Sequence, residues 1–155
     1  MINEYEWYHG AALRDLIVCA SEPLRIEAFK VPGRINAFLL NGVVILYIKH
    51  SAKRLAPWRF TFTMENMNEI DRIVESGRIL WFALVCGQDG FLALSLDDFK
   101  QINPPSLQSA CSIRVSRDRG TNYRVFGATG KLPFTRSEGF LMVVTDLLAK
   151  SASSR

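Results

Sequence analysis

The stretch "AFLLNGVVILYIKHS", residues 37–51, decides the architecture of the chain. Two apolar runs flank Asn41 and Gly42, and this dipeptide favours a tight hairpin because both residues tolerate the positive φ that a type I′ turn requires. We predict two antiparallel strands over residues 34–40 and 43–50.

Further strand and helix patterns extend outward from this hairpin. "WRFTFT" alternates apolar and polar residues, which predicts a strand with Arg59 and Thr61 facing water. Thr63 then starts an amphipathic pattern that ends at Gly77 and predicts a helix. The other patterns predict a helix over residues 10–20 with Leu16 and Ile17 in its apolar stripe, a hairpin over 78–96, a capped helix from Ser95, two strands within 111–127, and over 140–150 either a helix or a strand with a turn of helix.

These elements predict an α+β fold with a mixed, mostly antiparallel sheet and helices packed against it. The chain has 155 residues and 48% hydrophobic residues, which suits one domain with a sizeable core. We therefore expect a single globular domain over residues 1–150 and a frayed tail over 151–155.

Composition also predicts the compartment. No apolar run approaches the roughly 18 residues that cross a bilayer, and "MINEYEWYHG" is acidic and aromatic where a signal peptide is basic and then apolar. We expect a cytoplasmic protein with no membrane partner. The three cysteines are widely spaced, which predicts reduced, mostly buried thiols without a disulfide framework, metal site or cofactor: Cys19, Cys86 and Cys111.

The distribution of charge is more informative than the net charge of +4. No acidic residue lies between Glu27 and Glu65, and such an unbalanced stretch attracts phosphate backbones. In the alternative reading, the cations form a solvated edge that pairs with carboxylates elsewhere, such as Asp97 and Asp98. The cations of this stretch, with His50 beside them, are Lys30, Arg34, Lys49, Lys53, Arg54 and Arg59.

A second basic group follows with only Asp118 to offset it, and it consists of Arg114, Arg117, Arg119 and Arg124. Arginine favours bidentate recognition of phosphate or carboxylate. If the two groups share a face, their fields add. Tyr47 and Trp58 would stack on bases if they were exposed. The predicted nucleic-acid contacts are Lys49, Ser51, Lys53, Arg54, Arg59, Arg117 and Arg119.

No catalytic residue can be assigned from the sequence. His9 and His50 have no Cys, Asp or Glu at ligand spacing, so neither predicts a metal site. No local pattern activates Ser51 or a cysteine as a nucleophile. Asp89 in "CGQDG" suits the hydrogen bonding of a hairpin turn, and a catalytic role is the alternative.

The helix, the "LLNG" hairpin, the strand ending in "YIKHS", the "PWRF" strand and "FALVCGQDG" together resemble PD-(D/E)XK nuclease-like domains over about residues 25–100. The pattern "YIKHSAKRLAPWRFTF … LVCGQDG" is also similar to a group of uncharacterised bacterial proteins over about residues 8–130. The nuclease resemblance implies a degenerate restriction-endonuclease-like core. It aligns Lys49 with the family's lysine, Tyr47 with its glutamate, and Asn36 or Ala37 with its aspartate, so both metal-binding carboxylates are missing.

The sequence therefore predicts a non-catalytic nucleic-acid-binding or accessory module. One alternative is a protein-interaction or self-association domain, with a homo-oligomer or protein partner at Trp58, Phe60 and Trp81. Another is a metal-dependent nuclease whose carboxylates have moved to a set drawn from Glu27, Glu65, Glu69 and Asp89. Binding that weakens steeply with salt distinguishes the first from the second, and metal-dependent cleavage identifies the third.

Overall fold

The computed structural model describes residues 1–29, 35–103, 110–140 and 143–153. Its elements, in chain order, are α1 (Glu4–Cys19), β1 (Ile26–Ala28), β2 (Ala37–Leu40), β3 (Val44–Ser51), β4 (Trp58–Phe62), α2 (Met64–Glu75), β5 (Ile79–Cys86), β6 (Gly90–Ser95), α3 (Leu96–Ile102), β7 (Cys111–Ser116), β8 (Arg124–Gly127), β9 (Gly130–Lys131) and α4 (Val143–Ser153).

The predicted central hairpin is confirmed. Asn41 and Gly42 have φ values of 50° and 70°, the positive values that the type I′ turn requires. Strands β2 and β3 pair antiparallel from Ala37 opposite Tyr47 to Leu40 opposite Val44. Strand β2 is shorter than predicted, and residue 34 lies outside the described residues.

The first sheet has the strand order β1-β2-β3-β5-β6. All its neighbours are antiparallel except β3 and β5, which run parallel from Val44 opposite Ile79 to Ser51 opposite Cys86. A parallel pair needs a crossover connection, and here the crossover contains β4 and α2. Strand β4 lies within this crossover and is not a member of the first sheet.

The prediction of a single sheet is wrong, although the α+β class is confirmed. Strand β4 pairs with β7 in a second, antiparallel sheet of order β4-β7-β8-β9. Alternation along β4 shows that one face is buried, but it does not show which strand β4 pairs with. The sequence analysis also missed the short strands β1 and β9.

Two apolar clusters form the core on opposite faces of the first sheet. One cluster joins that sheet to the second sheet, α2 and α3, and includes Phe62 and Phe82. The other includes Leu16 of α1 and Leu148 of α4. Strands β3 and β5 face both clusters, which explains their continuous apolar sequences.

Helix α1 begins earlier than predicted. Asn3 caps it, and Asn3 and Glu6 form a reciprocal capping box. The buried face follows His9, Ala12 and Leu16, whereas Ile17 is 56% exposed. The prediction that Ile17 belongs to the buried stripe is therefore wrong. Helix α2 begins after Thr63 as predicted.

The C-terminal pattern forms a helix, which decides between the two predictions for residues 140–150. Helix α4 runs to Ser153, into the tail predicted over residues 151–155. Residues 154–155 lie outside the described residues. Within the described ranges, no helix combines the length and apolar character that crossing a bilayer requires.

Replacement of Gly127 by Ala should destabilise the protein. An added Cβ would lie 2.5 Å from the Ile102 backbone oxygen and 2.6 Å from its Cβ, and backbone moves less easily than a side-chain end. We expect a loss of about 1–3 kcal/mol in the free energy of unfolding, measured in urea. Gly10→Ala in α1 is the control, because its Cβ would meet nothing within 4 Å and should add about 0.8–1 kcal/mol. Equal effects at the two positions would contradict this packing.

Candidate functional site

The outer face of the second sheet is the side turned away from the core. Its residues alternate along each strand with residues buried in the core. In β4, for example, Arg59 and Thr61 are exposed between core aromatics. The sequence predicted these two orientations, and the structure confirms them. The outer face consists of Arg59, Thr61, Ser112, Arg114, Ser116, Arg124, Phe126 and Lys131.

Four residues of the outer face form one row across the four strands. Arg59 lies opposite Arg114, Arg114 lies opposite Phe126, and Phe126 lies opposite Lys131. Neighbouring strands are about 4.8 Å apart, so the row spans about 14 Å. It places three cations and one aromatic ring on a single surface.

This row lacks internal counter-charges. In the described ranges, the ion pairs of arginine involve Arg25, Arg117 and Arg136, and none involves a cation of the outer face. Like charges directly opposite each other on neighbouring strands are destabilising, so Arg59 beside Arg114 carries a cost in stability. An anionic ligand would offset this cost.

A recess of about 380 Å³ opens on the outer face. Ala128 and Gly130 contribute no bulky side chains to it, which leaves space between the row and the β8–β9 turn. Gly127 lines it with backbone, because a side chain there would point at Ile102. The described residues that line it include no carboxylate, and they are Arg59, Ser112, Arg114, Phe126, Gly127, Ala128, Gly130 and Lys131.

The structure separates Lys49 from this face. Lys49 Nζ lies 5.4 Å from the centre of the Phe62 ring and donates a hydrogen bond to Asn66 Oδ1 at 3.0 Å. Burial lowers the pKa of Lys49, and the charge of Glu69 opposes that shift. Phe62 points into the core whereas Arg59 points outward, so Lys49 and Arg59 lie on opposite sides of β4.

The other predicted contacts near β4 remain candidates. Lys53 and Arg54 are exposed before β4, and the Lys53 carbonyl accepts a hydrogen bond from Trp58 Nε1 at 2.8 Å. Ser51, the last residue of β3, is half-buried. The predicted cations Lys30 and Arg34 lie outside the described residues.

The second basic group divides into paired and unpaired arginines. Arg117 contacts Asp89 Oδ2 at 2.6 Å and Glu138 at 3.5 Å, its side chain is only 12% exposed, and its Cζ lies 4.0 Å from the Tyr123 ring centre. Its charge is therefore neutralised within the protein. Arg119 is exposed in the following turn, while Arg114 and Arg124 belong to the outer face.

Asp89 connects the two sheets. Its Oδ2 accepts a hydrogen bond from the Tyr123 hydroxyl at 2.7 Å and pairs with Arg117. Both partners follow β7, in the second sheet, whereas Asp89 lies in the β5–β6 turn of the first. These contacts favour a structural role over the catalytic alternative.

The positions marked by the nuclease resemblance surround Glu69 of α2. The Tyr47 hydroxyl donates to Glu69 Oε2 at 2.8 Å, and Asn36 Nδ2 lies 3.5 Å from the same oxygen. Tyr47 is fully buried, and its pKa is raised by burial and by Glu69. Glu69 is only 6% exposed, a burial that the polar sequence around it did not predict.

These residues do not assemble a metal centre of the usual kind. Within the described ranges, no group of three or more His, Cys, Asp or Glu side chains is placed to hold a metal ion. The proposed relocated carboxylates are dispersed: Glu27 pairs with Arg25 at 2.7 Å, Asp89 with Arg117, and Glu65 is exposed. The nuclease alternative stays a prediction.

Several aromatic predictions are corrected. Trp58 and Phe60 are 2% and 1% exposed and Tyr47 is fully buried, so none of them can stack on a base or cover a partner. Trp81 is half-buried. Phe126 and Lys131 were missed, although Arg124 and Phe126 are two positions apart in the predicted strand and therefore lie on the same side of it.

Comparison of the chain with protein-family models, curated proteins and solved structures gave no match. The resemblances drawn from the sequence therefore stay predictions.

The burial of His9 predicts that the free energy of unfolding depends on pH. His9 is 4% exposed and packs among Tyr5, Phe38 and His50, and burial, with the charges of His50 and Lys49, lowers its pKa to about 4. Its pKa in the unfolded chain is about 6.5. Between these values only the unfolded state binds the proton, so the free energy of unfolding falls as the pH drops, by up to about 1.4 kcal/mol per pH unit.

Urea unfolding at several pH values between 7 and 4 tests this dependence. Carboxylates titrate in the lower part of this range, so the informative quantity is the difference between wild type and His9→Phe. That variant should show the shallower loss. Parallel curves for the two proteins would contradict a proton-linked role for His9.

Cys86 should be the least reactive thiol. It is fully buried, and burial raises its pKa, as does Asp89, while Arg117 opposes the shift. Cys19 and Cys111 are only half-buried, which corrects the prediction of mostly buried thiols. We expect a thiol reagent to label Cys19 and Cys111 in native protein and Cys86 only after unfolding, as mapped by mass spectrometry. Rapid labelling of native Cys86 would show that the core admits reagent.

Proposed function

We propose that the chain is a non-catalytic nucleic-acid-binding module that holds phosphates on the outer face of the second sheet. The observation that carries the proposal is the row in which Arg59 and Arg114 lie side by side without an ion-pair partner in the described ranges. Two adjacent guanidinium groups suit phosphate, because each offers a fork of donors to its oxygens.

The whole outer face supports the same ligand class. Arg124, two residues before Phe126 on β8, and Lys131, opposite Phe126 on β9, add charge, and none of the described residues that line the recess is a carboxylate. A phosphate backbone presents repeated anions at a spacing that several cations can contact together, and binding releases its counterions. We propose that this occurs in the cytoplasm, where the three unpaired cysteines stay reduced.

The interaction-domain alternative has less support from the described residues. Two of its three aromatics, Trp58 and Phe60, belong to the core. An apolar interface would also resist salt, whereas contacts to phosphate weaken as salt rises. Salt dependence thus remains the measurement that separates the two functions.

The double variant Arg59→Ala/Arg114→Ala should bind oligonucleotides of unrelated sequence more weakly and by similar factors, because phosphate contacts do not read sequence. Fluorescence anisotropy over a salt series measures the slope of log K against log[salt]. Each lost phosphate contact should reduce its magnitude by about 0.7–0.9, so the double variant should differ by about 1.5. Its thermal stability should equal or exceed that of wild type, because the substitutions remove two like charges that lie opposite each other on neighbouring strands.

The matched control is Lys53→Ala/Arg54→Ala, which removes the same charge from the loop before β4. If Lys53→Ala/Arg54→Ala reduces the slope of log K against log[salt] and Arg59→Ala/Arg114→Ala does not, the binding surface is the loop. If wild type shows no salt-dependent binding at about 50 mM salt, the proposal is wrong.

A further inference from the structure

Phe126 is the aromatic residue among those that line the recess. The core does not require it, since the neighbouring Val125 fills the buried side of β8 while Phe126 is half-exposed on the outer face. An aromatic ring on a wet, cationic sheet face is suited to stacking with a ligand.

Arg114 stacks on one face of the Phe126 ring. Its Cζ lies 4.2 Å from the centre of the Phe126 ring, so the guanidinium is held against the ring by a cation–π contact. Bases stack on aromatic rings and on guanidinium planes alike. The pair thus provides a stacking surface, and Arg59 and Lys131 lie on the flanking strands of the same row.

The dimensions of the face disfavour a duplex. The row spans about 14 Å between strand centres, whereas the major groove of B-DNA is about 12 Å wide and admits a helix or a two-stranded ribbon. A four-stranded face therefore meets only the backbone of a duplex. The bases of a duplex are already stacked on one another, so Phe126 would gain no partner from it.

The recess is of a size that suits one unpaired nucleotide. Its volume of about 380 Å³ lies at the low end of the roughly 300–1,000 Å³ range of small-ligand pockets. The small residues Ala128 and Gly130 leave space beside the stacking pair. Cations around this space are placed to contact the phosphates on either side of a base.

We infer that the outer face recognises single-stranded nucleic acid, with one unpaired base stacked on the Arg114–Phe126 pair and its flanking phosphates on Arg59 and Lys131. This inference rests on the proposed function, because it assigns the ligand of the same surface. It adds a contribution that does not depend on charge. Phosphate binding alone would leave Phe126 without effect.

Three fluorescence-competition probes separate these contributions: a 12-nucleotide single-stranded DNA of mixed sequence, the duplex of the same sequence, and inorganic polyphosphate. Phe126→Leu keeps the charge and an apolar side chain but removes the ring. It should weaken single-strand binding about tenfold, within the 5- to 150-fold that loss of one stacked base produces, and leave duplex and polyphosphate binding unchanged.

Two further variants keep the test decisive if Phe126→Leu folds poorly. Phe126→Tyr retains the ring and should keep the single-strand affinity of wild type. Arg114→Lys retains the charge but loses the planar guanidinium, so it should weaken single-strand binding by a larger factor than polyphosphate binding, which loses only the fork of donors. Thermal unfolding of each variant confirms that the comparison concerns folded protein.

The outcomes distinguish the inference from the proposed function. Wild type that binds the duplex as tightly as the single strand, or a Phe126→Leu variant that loses affinity for all three probes equally, would overturn the inference and leave phosphate binding in place. Wild type that binds none of the probes in a salt-dependent way would overturn both.

Discussion

The parallel pairing of β3 with β5 is the constraint on which the rest of the fold depends. Two parallel neighbours cannot be joined by a tight turn, so the chain must cross one face of the first sheet between Ser51 and Ile79. That crossing segment contains β4 and α2. Strand β4 packs its aromatics on the first sheet and pairs with β7 at its edge, which begins the second sheet. The outer face exists because β4 is held in this position.

Charged side chains on the two sides of the second sheet differ in whether they have partners of opposite charge. Towards the core, the Arg117 side chain, which is 12% exposed, is matched by Asp89 and Glu138, and the buried Glu69 by the Tyr47 hydroxyl. Such matching is required, because a buried charge without a partner is strongly destabilising. On the outer face water screens the cations, so the row is tolerated without partners at a modest cost. This difference makes the outer face the better candidate for an external anion.

Local patterns predicted the elements and several side-chain orientations. The Asn41-Gly42 turn, the cap at Thr63 and the outward direction of Arg59 follow from neighbouring residues alone. The pairing of β4 with β7 joins residues about 50 positions apart, and no local pattern encodes that register. The row on the outer face therefore could not be read from the sequence. For the same reason, the sequence grouped Arg117 with Arg114, although only Arg117 meets carboxylates from other elements.

Strand β4 separates the positions of the nuclease resemblance from the outer face. The positions that resemble a nuclease centre, Tyr47 and Lys49, lie on the core side of β4, beside Phe62 and α2. Arg59 projects from the opposite side of the same strand. A phosphate held by Arg59 would thus be separated from Lys49 by the second sheet itself. Under the proposed function, phosphate binding on the outer face requires none of the positions of the nuclease resemblance, because the two surfaces share a strand but no side chain.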